Sequence, residues 1–445
     1  MGLQPAPARP FVHEAHWPAR SRPRFVRKGR NTPLFMEARS LKPDPSSGAI
    51  PLAPGVHRQR VLFVDDEQEI LEALRAVLRP QRREWDMVFA LGGPAGLQEV
   101  EGSKFDVVVT DMRMPIVDGA TLLTRVKQLQ PHAVRLVLSG QTDPQTALKS
   151  VFTAHQFLAK PCDTEKLRQV VKRCCELNEV LCGEELRSLA GDVSVLPAAP
   201  TTYLAISKML DDPNAGVADV VRVVEREPTL CAKLLQIANS AFFGLPRAVT
   251  SINQAATYLG TLALRNLALA METMAAQHAG ARAVAPASYA QFQINSLAVG
   301  LLGRRWFAGD RRKADDAFVA GLLRDMGHLL LVTRPSGQGG KLGTIDEHAA
   351  LSAYLLGLWG IPHSVLEAVA FHEHPEQVEH EVLEVMDVVH LADCLVSRIL
   401  PSPFQAAPSC DTARLERLGV TESMRAELER DAAGALEEAR KMLAP

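Results

Sequence analysis

The 445-residue chain has no run of about 18 uncharged apolar residues, so no segment of it reads as a membrane span. Its first residues lack the apolar core of a signal peptide, and Ala6 stands where myristoylation after Met1-Gly2 would need Ser or Thr. Cysteine is scarce and unpatterned. Seven residues, an odd number without a Cys-x-x-Cys pair, exclude a disulfide framework and fit a reducing, cytoplasmic setting. Neighbouring Cys174 and Cys175 on one helix cannot bridge easily. Neither sign of charge dominates: 49 Lys and Arg against 51 Asp and Glu leave a net charge of -2, which argues against nucleic acid as an obligatory partner. With 47% hydrophobic and 22% charged residues the composition is that of an ordinary soluble protein, and its length predicts two or three units.

Residues 1–57 are rich in Pro and Arg and poor in periodic apolar positions, so they cannot bury enough surface to offset chain entropy. The sequence predicts a disordered tail there, with Arg20, Arg22, Arg24, Arg27, Lys28 and Arg30 as a solvated basic cluster. Whether translation starts at Met1 or Met36 is left open.

The next stretch is organised around Val107-Val108-Val109-Thr110-Asp111, three β-branched apolar residues that end abruptly in an acid, with Met112-Arg113-Met114-Pro115 and Asp118-Gly119 behind it. Such a run reads as a central parallel strand, and ligands of open α/β sheets bind at the carboxyl ends of the strands. Asp111 alone could merely cap a turn. Three further strand ends bring companions: Asp65-Asp66 after Val61–Val64, Ser139-Gly140 after Leu136–Leu138, and Lys160-Pro161 after Phe157–Ala159. Adjacent acids repel unless a cation sits among them, and Mg²⁺ takes carboxylates, carbonyls and water.

In this order and combination, residues 58–180 resemble the receiver domain of two-component response regulators, a doubly wound, flavodoxin-like α/β fold. The resemblance implies that Asp111 accepts a phosphoryl group from a sensor histidine kinase or phosphotransfer protein. It also implies that Asp66, Asp111 and the backbone carbonyl of Arg113 hold Mg²⁺, with Asp65 reaching it through water, and that Ser139 and Lys160 bind the phosphoryl oxygens. Phe157, read as a half-buried aromatic on an edge strand, stands where the family carries an aromatic that turns inward as the hydroxyl moves. Glu69 to Leu78 reads as an amphipathic helix. Asp163 caps the last helix, whose stripe Leu167, Val170, Cys174, Leu177 and Leu181 runs on into a helical linker, 181–192. Pairing of that helix in a homodimer is one way to use the stripe.

From Val193 the pattern changes to helix after helix, with Pro228 after an acid as a helix start. The words Leu234–Gly244, Ser251–Ala255 and Tyr258-Leu259-Gly260 closely resemble the HDOD domain, an all-α relative of the HD metal phosphohydrolases, over 193–400. A working HD site wants an early His, a His-Asp pair and a late Asp around a metal. Here Asn295 stands at the early position and Arg324 before Asp325, while His348, His372 and Asp393 match and Glu373 replaces a following His. Arginine donates no lone pair and stays cationic, so an ion pair of Arg324 with Asp325 or Asp393 is expected to fill the cavity in place of a metal. His372 and His374 are two apart and share no helix face. The region 401–445 is broken by Pro401, Pro403 and Pro408, and then Thr421 caps a last helix.

The sequence therefore predicts a bacterial, cytoplasmic response regulator with a non-catalytic HDOD output acting on an unknown downstream protein. No membrane insertion, no nucleic acid and no HDOD cofactor are expected. Two alternatives stay open: a metal-dependent cyclic-di-GMP phosphodiesterase of the HD-GYP type, and a sensor that binds a nucleotide without cleaving it.

Overall fold

The computed structural model describes residues 58–139, 153–160, 164–180, 184–191, 216–239, 248–260, 284–332, 341–342 and 345–443, with isolated positions between them. The predicted tail 1–57, Pro161, Asp163 and Leu181 lie outside these residues, as does the side chain of Ser139.

Strands β1 (Gln59–Asp65), β2 (Trp85–Leu91), β3 (Val107–Asp111), β4 (Val134–Ser139) and β5 (Gln156–Ala159) form one parallel sheet in the order β2-β1-β3-β4-β5. Val61–Val64 pair with Val107–Thr110 at its centre, and both runs are buried, which is why each reads as uninterrupted apolar sequence. Helices α1 (Gln68–Val77), α2 (Gly92–Gly102) and α3 (Gly119–Leu129) fill the crossovers, and α4 (Thr164–Val180) follows β5. This is the doubly wound, flavodoxin-like architecture that the strand ends predict.

Two local expectations need correction. Phe157 does lie on an edge strand, but it is 3% exposed and not half-buried, and the residues just before it, Ala154 and His155, are bonded by Gln236 of the helical half. In α4 Val170 is half-buried and Val171 is in the core with Leu167, Cys174 and Leu177. A wide buried face of this kind suits a helix packed on two surfaces better than the narrow seam of a coiled coil.

The rest of the chain is helical: α5 (Glu184–Gly191), α6 (Val217–Val224), α7 (Pro228–Ala238), α8 (Ile252–Leu259), α9 (Pro286–Trp306), α10 (Arg311–Leu323), α11 (Met326–Leu331), α12 (Glu347–Leu358), α13 (His363–Phe371), α14 (Val385–Ile399), α15 (Thr412–Arg417) and α16 (Glu422–Leu443). Pro228 opens α7, where its missing N–H costs nothing. Asn239 ends that helix, donating from Nδ2 to the Val249 carbonyl (2.9 Å) and accepting the Val249 amide on Oδ1 (2.6 Å). Helix α16 buries Leu428, Ala432, Leu436 and Ala439. Among the described residues no helix is long and apolar enough to cross a membrane.

The C-terminal extension is fastened by charge. Arg414 donates to Asp387 (2.8 Å) and to the Val378 carbonyl (2.6 Å), and His380 lies 2.7 Å from Asp387 and 2.9 Å from Glu367. Burial works against a charged His380, but the two carboxylates outweigh it and raise its pKa to about 9. The folded value lies above the unfolded one of about 6.5, so this stabilisation is complete below pH 6.5 and is lost as the pH rises toward 9. After allowance for partial exposure the effect is on the order of 2 kcal/mol. Thermal stability of the wild type is expected to fall between pH 6.5 and 9, and His380→Gln to make that slope shallower.

Candidate functional site

Two sets of polar residues converge, one in each half. In the first, the ends of β1, β3 and β5 bring Asp65, Asp111 and Lys160 together at the carboxyl edge of the sheet. Lys160 Nζ lies 2.7 Å from Asp65 Oδ2 and 2.6 Å from Asp111 Oδ1, and both acids are buried. Burial works against the lysine's charge, yet hydrogen bonds to Asp111 and then Asp65 hold its pKa above the ordinary value. The second Asp111 oxygen accepts the Arg113 amide at 2.6 Å, and Asp65 Oδ1 accepts the Glu67 amide at 3.1 Å. Asp66 is exposed beside them. Ser139 ends β4, the strand next to β3.

The loop after β3 is tight. A Cβ on Gly119 would come within 2.1 Å of the Asp111 carbonyl oxygen, so only glycine lets α3 start this close. Ile116, in the same loop, has φ 71° and is 94% exposed. A β-branched residue in the left-handed region is strained, and here the strain sits on the rim of the site.

The second set lies in the helical half. Arg324, fully buried, donates to the Gly321 carbonyl (2.6 Å), Asn295 Oδ1 (2.5 Å) and Asp393 Oδ1 (2.8 Å), and its Nη2 is 3.1 Å from Asp325 Oδ2. The sequence offered Asp325 or Asp393 as its partner, and the structure gives it both, with Asn295 as a third. Asn295 also donates to the Leu400 carbonyl (2.7 Å), and Ser397 donates to Asp393 (2.8 Å). His348 Nε2 and His372 Nε2 stand 3.6 and 3.5 Å from Asp325 Oδ1, close enough for charge but too long for good hydrogen bonds. Burial opposes a charged His372, but Asp325, Glu373 and Asp393 outweigh it and raise its pKa to about 9. Burial and His328 keep the His348 ring neutral. Burial, together with the Asp346 carboxyl, pushes Glu373 above the usual carboxylate range. His374 turns away to Asp346 (3.2 Å).

Asp325 Oδ1, Asp393 Oδ2, His348 Nε2 and His372 Nε2 are buried without a hydrogen-bond partner among the described residues. The oxygen of Asp325 and the two imidazole nitrogens lie within 4.8 Å of one another. That donor set suits a divalent ion, while the Arg324 guanidinium already neutralises the carboxylates from the other side.

Helix α12 joins the helical pocket to α4 of the first half. It carries His348 in its first turn and Gly357 in its last, and a Cβ on Gly357 would stand 2.9 Å from Leu177 of α4. Tyr354 donates to Asn178 Oδ1 (2.7 Å), Asn178 Nδ2 reaches the Asp106 carbonyl (3.3 Å), and Arg173 donates to the Ile361 carbonyl (2.9 Å). Gln236 of α7 donates to the carbonyls of Ala154 (3.2 Å) and His155 (3.1 Å), directly before β5 and Phe157.

Sequence reasoning passed over His328, whose ring stacks on His348 with centroids 4.0 Å apart. Its spacing of three from Asp325 on a short helix was the available signal. It also passed over His390 and Cys394, four apart on α14.

The response regulator receiver domain model matches residues 61–172, and the HDOD domain model matches residues 196–338. Among curated proteins, an uncharacterized protein of Treponema pallidum (strain Nichols) is 22% identical over 268 residues, covering 54% of this chain and 50% of its own length. Hydrogenase transcriptional regulatory protein HoxA of Bradyrhizobium diazoefficiens is 32% identical over 120 residues, 26% of this chain and 24% of that protein. Transcriptional regulatory protein ZraR of Escherichia coli K12 is 25% identical over 150 residues, 34% of each. The chain thus spans half or less of the length of these relatives. Among solved structures, the receiver domain of an HD domain-containing protein from Pseudomonas fluorescens Pf-5 is 28% identical with a TM-score of 0.26, covering 27% of this chain and 98% of that one. The MmoQ response regulator from Methylococcus capsulatus is 23% identical with a TM-score of 0.40, covering 53% and 97%. The strand-end constellation falls within the first of the two family matches: the chain carries a response regulator receiver domain at residues 61–172 followed by an HDOD domain at residues 196–338.

Proposed function

We propose that the protein is a phosphorylation-dependent response regulator of a two-component phosphorelay, modified on Asp111, whose HDOD half acts through protein interaction and not through hydrolysis. The observation that carries this reading is Lys160 Nζ held between the carboxylates of Asp65 and Asp111. Phosphoryl transfer needs little covalent help beyond a fixed cation beside the accepting carboxylate. The hard oxygen donors fit Mg²⁺, which Asp66, Asp111 and the Arg113 carbonyl would hold, with Asp65 acting through water. When bound, the ion neutralises charge on the phosphoryl oxygens. An Asp111 oxygen attacks the phosphorus of a phosphohistidine on the kinase or phosphotransfer protein, the P–N bond breaks, and its electron pair leaves with the imidazole. Lys160 and Ser139 then bind the transferred oxygens, and Phe157 responds. Incubation with acetyl phosphate and Mg²⁺ is expected to add one phosphoryl group per chain by intact mass, and EDTA to prevent it. No incorporation would count against the reading.

The packing of α4 and of the segment before β5 onto α7 and α12 supports a relay from the receiver to the HDOD half. Gly357→Leu would drive an isobutyl group into Leu177, and overpacking of this kind costs about 1–3 kcal/mol. Faster proteolysis between the halves is expected, and unchanged proteolysis would show that α12 does not seat the receiver.

A second reading is favoured by the four unpartnered atoms around Asp325. They would let the pocket hold one divalent ion despite Arg324, as a phosphodiesterase would require. Metal analysis of purified protein separates the readings: bound metal that Asp325→Ala removes, with cleavage of cyclic di-GMP, would favour the enzyme.

A further inference from the structure

After α14 the chain runs along the rim of the HDOD pocket as an irregular strap, residues 400–411, before α15 begins. It has no backbone ladder and is held by anchors. The Leu400 and Pro401 carbonyls accept from Asn295 (2.7 Å) and Gln291 (2.8 Å). Phe404 stacks 5.3 Å from His328, and Gln405 Oε1 lies 2.7 Å from His328 Nε2. His328 in turn stacks on His348, so the strap touches the pocket through one intervening ring. At its far end the Asp411 amide donates to His390 Nε2 (3.1 Å), while His390 Nδ1 bonds the His372 carbonyl (2.6 Å).

Cys410, partly exposed, is the last strap residue before that anchor. Its sulfur, the buried Cys394 sulfur and the His390 imidazole lie within 4.8 Å of one another. Cys394 is on α14 directly after Asp393 of the pocket, and both thiols are free. A metal bound by the three would need a lone pair on His390, and both ring nitrogens are already engaged by backbone groups. Two apposed thiols remain, one reachable from solvent and one behind it.

We propose that Cys410 and Cys394 are a redox pair, in which a hydroperoxide closes a disulfide that locks the strap to α14. The Cys410 thiolate attacks the peroxide oxygen, the O–O bond breaks, and the leaving oxygen takes a proton and departs as water or an alcohol, with Cys410 left as sulfenic acid. The Cys394 sulfur then attacks the Cys410 sulfur, and the S–O bond breaks. The hydroxide takes the Cys394 proton and leaves as water. Two thiols are oxidised by two electrons and one hydroperoxide is reduced. A thiol that a peroxide can reach from solvent, with a resolving thiol beside it, is what this chemistry needs. The lock goes beyond the phosphorelay reading and is independent of Asp111.

The test is to treat the reduced, full-length protein with one equivalent of hydrogen peroxide, count reactive thiols and map the peptides. Two of the seven thiols are expected to disappear, with a peptide joining Cys394 to Cys410, slower hydrogen exchange in 400–411, and reversal by dithiothreitol. Cys394→Ser is expected to leave a sulfenic acid on Cys410 that dimedone traps. If that variant does not fold, the wild-type map still decides. Oxidation that joins other cysteines, or leaves Cys410 reduced, would overturn the proposal. So would zinc in the purified protein that Cys410→Ser removes.

Discussion

Arg324→Ala is expected to be the most destabilising single change in the helical half, by about 3–5 kcal/mol, because it leaves buried carboxylates without their cation. The guanidinium sits between Asp325 and Asp393 and also bonds Asn295 and the Gly321 carbonyl, all out of reach of water. Alanine removes all four contacts and opens a cavity. The unfolding midpoint of the helical half should fall by roughly 10 °C. Divalent metal should restore part of the loss in the variant, because Asp325, Asp393, His348 and His372 would then face one another without the guanidinium, and a bound ion would displace the proton on His372. A loss under about 1 kcal/mol, typical of an ordinary exposed ion pair, would show that Arg324 does not neutralise this pocket.

Asp111→Asn is expected to reduce labelling by acetyl phosphate to background. The amide keeps the size of the side chain and removes both the proposed nucleophile and the charge that Lys160 balances and Mg²⁺ would share. Asp111 Oδ1 and Oδ2 already accept from Lys160 and the Arg113 amide, so the carboxylate is fixed for attack before any phosphoryl donor arrives. Asp65 stays paired with Lys160, so the variant should fold and the loss should be chemical. Persistent labelling at wild-type level would move the acceptor elsewhere.

The receiver was legible because its chemistry is written at strand ends. A β-branched run fixes where a parallel strand stops, and the residue after it must lie at the sheet's carboxyl edge, whichever helices intervene. Asp65, Asp111 and Lys160 meet for that reason, although 95 positions separate the first from the last. Side-chain partnership was less legible. The resemblance puts Arg324 and Asn295 at ligand positions of the HD pattern, but only packing shows that Asn295 turns its carbonyl toward Arg324. Phe157 looked half-buried because strand order says nothing about what covers an edge. The exchange of Val170 for Val171 has the same origin: α4 faces both a sheet and a helical neighbour, and a heptad stripe describes one partner only. His328, Phe404 and the cysteine pair carry no local motif, since their meaning depends on a strap that folds back over the pocket.

The measurement that bears most directly on the relay is hydrogen exchange of the full chain with Mg²⁺, with and without beryllofluoride, which mimics the phosphoryl group. Exchange is expected to change in α4, in the segment before β5, and in 347–371 of the helical half, and in none of these in Asp111→Asn. A change confined to the receiver would contradict the relay and leave the HDOD half independent of Asp111.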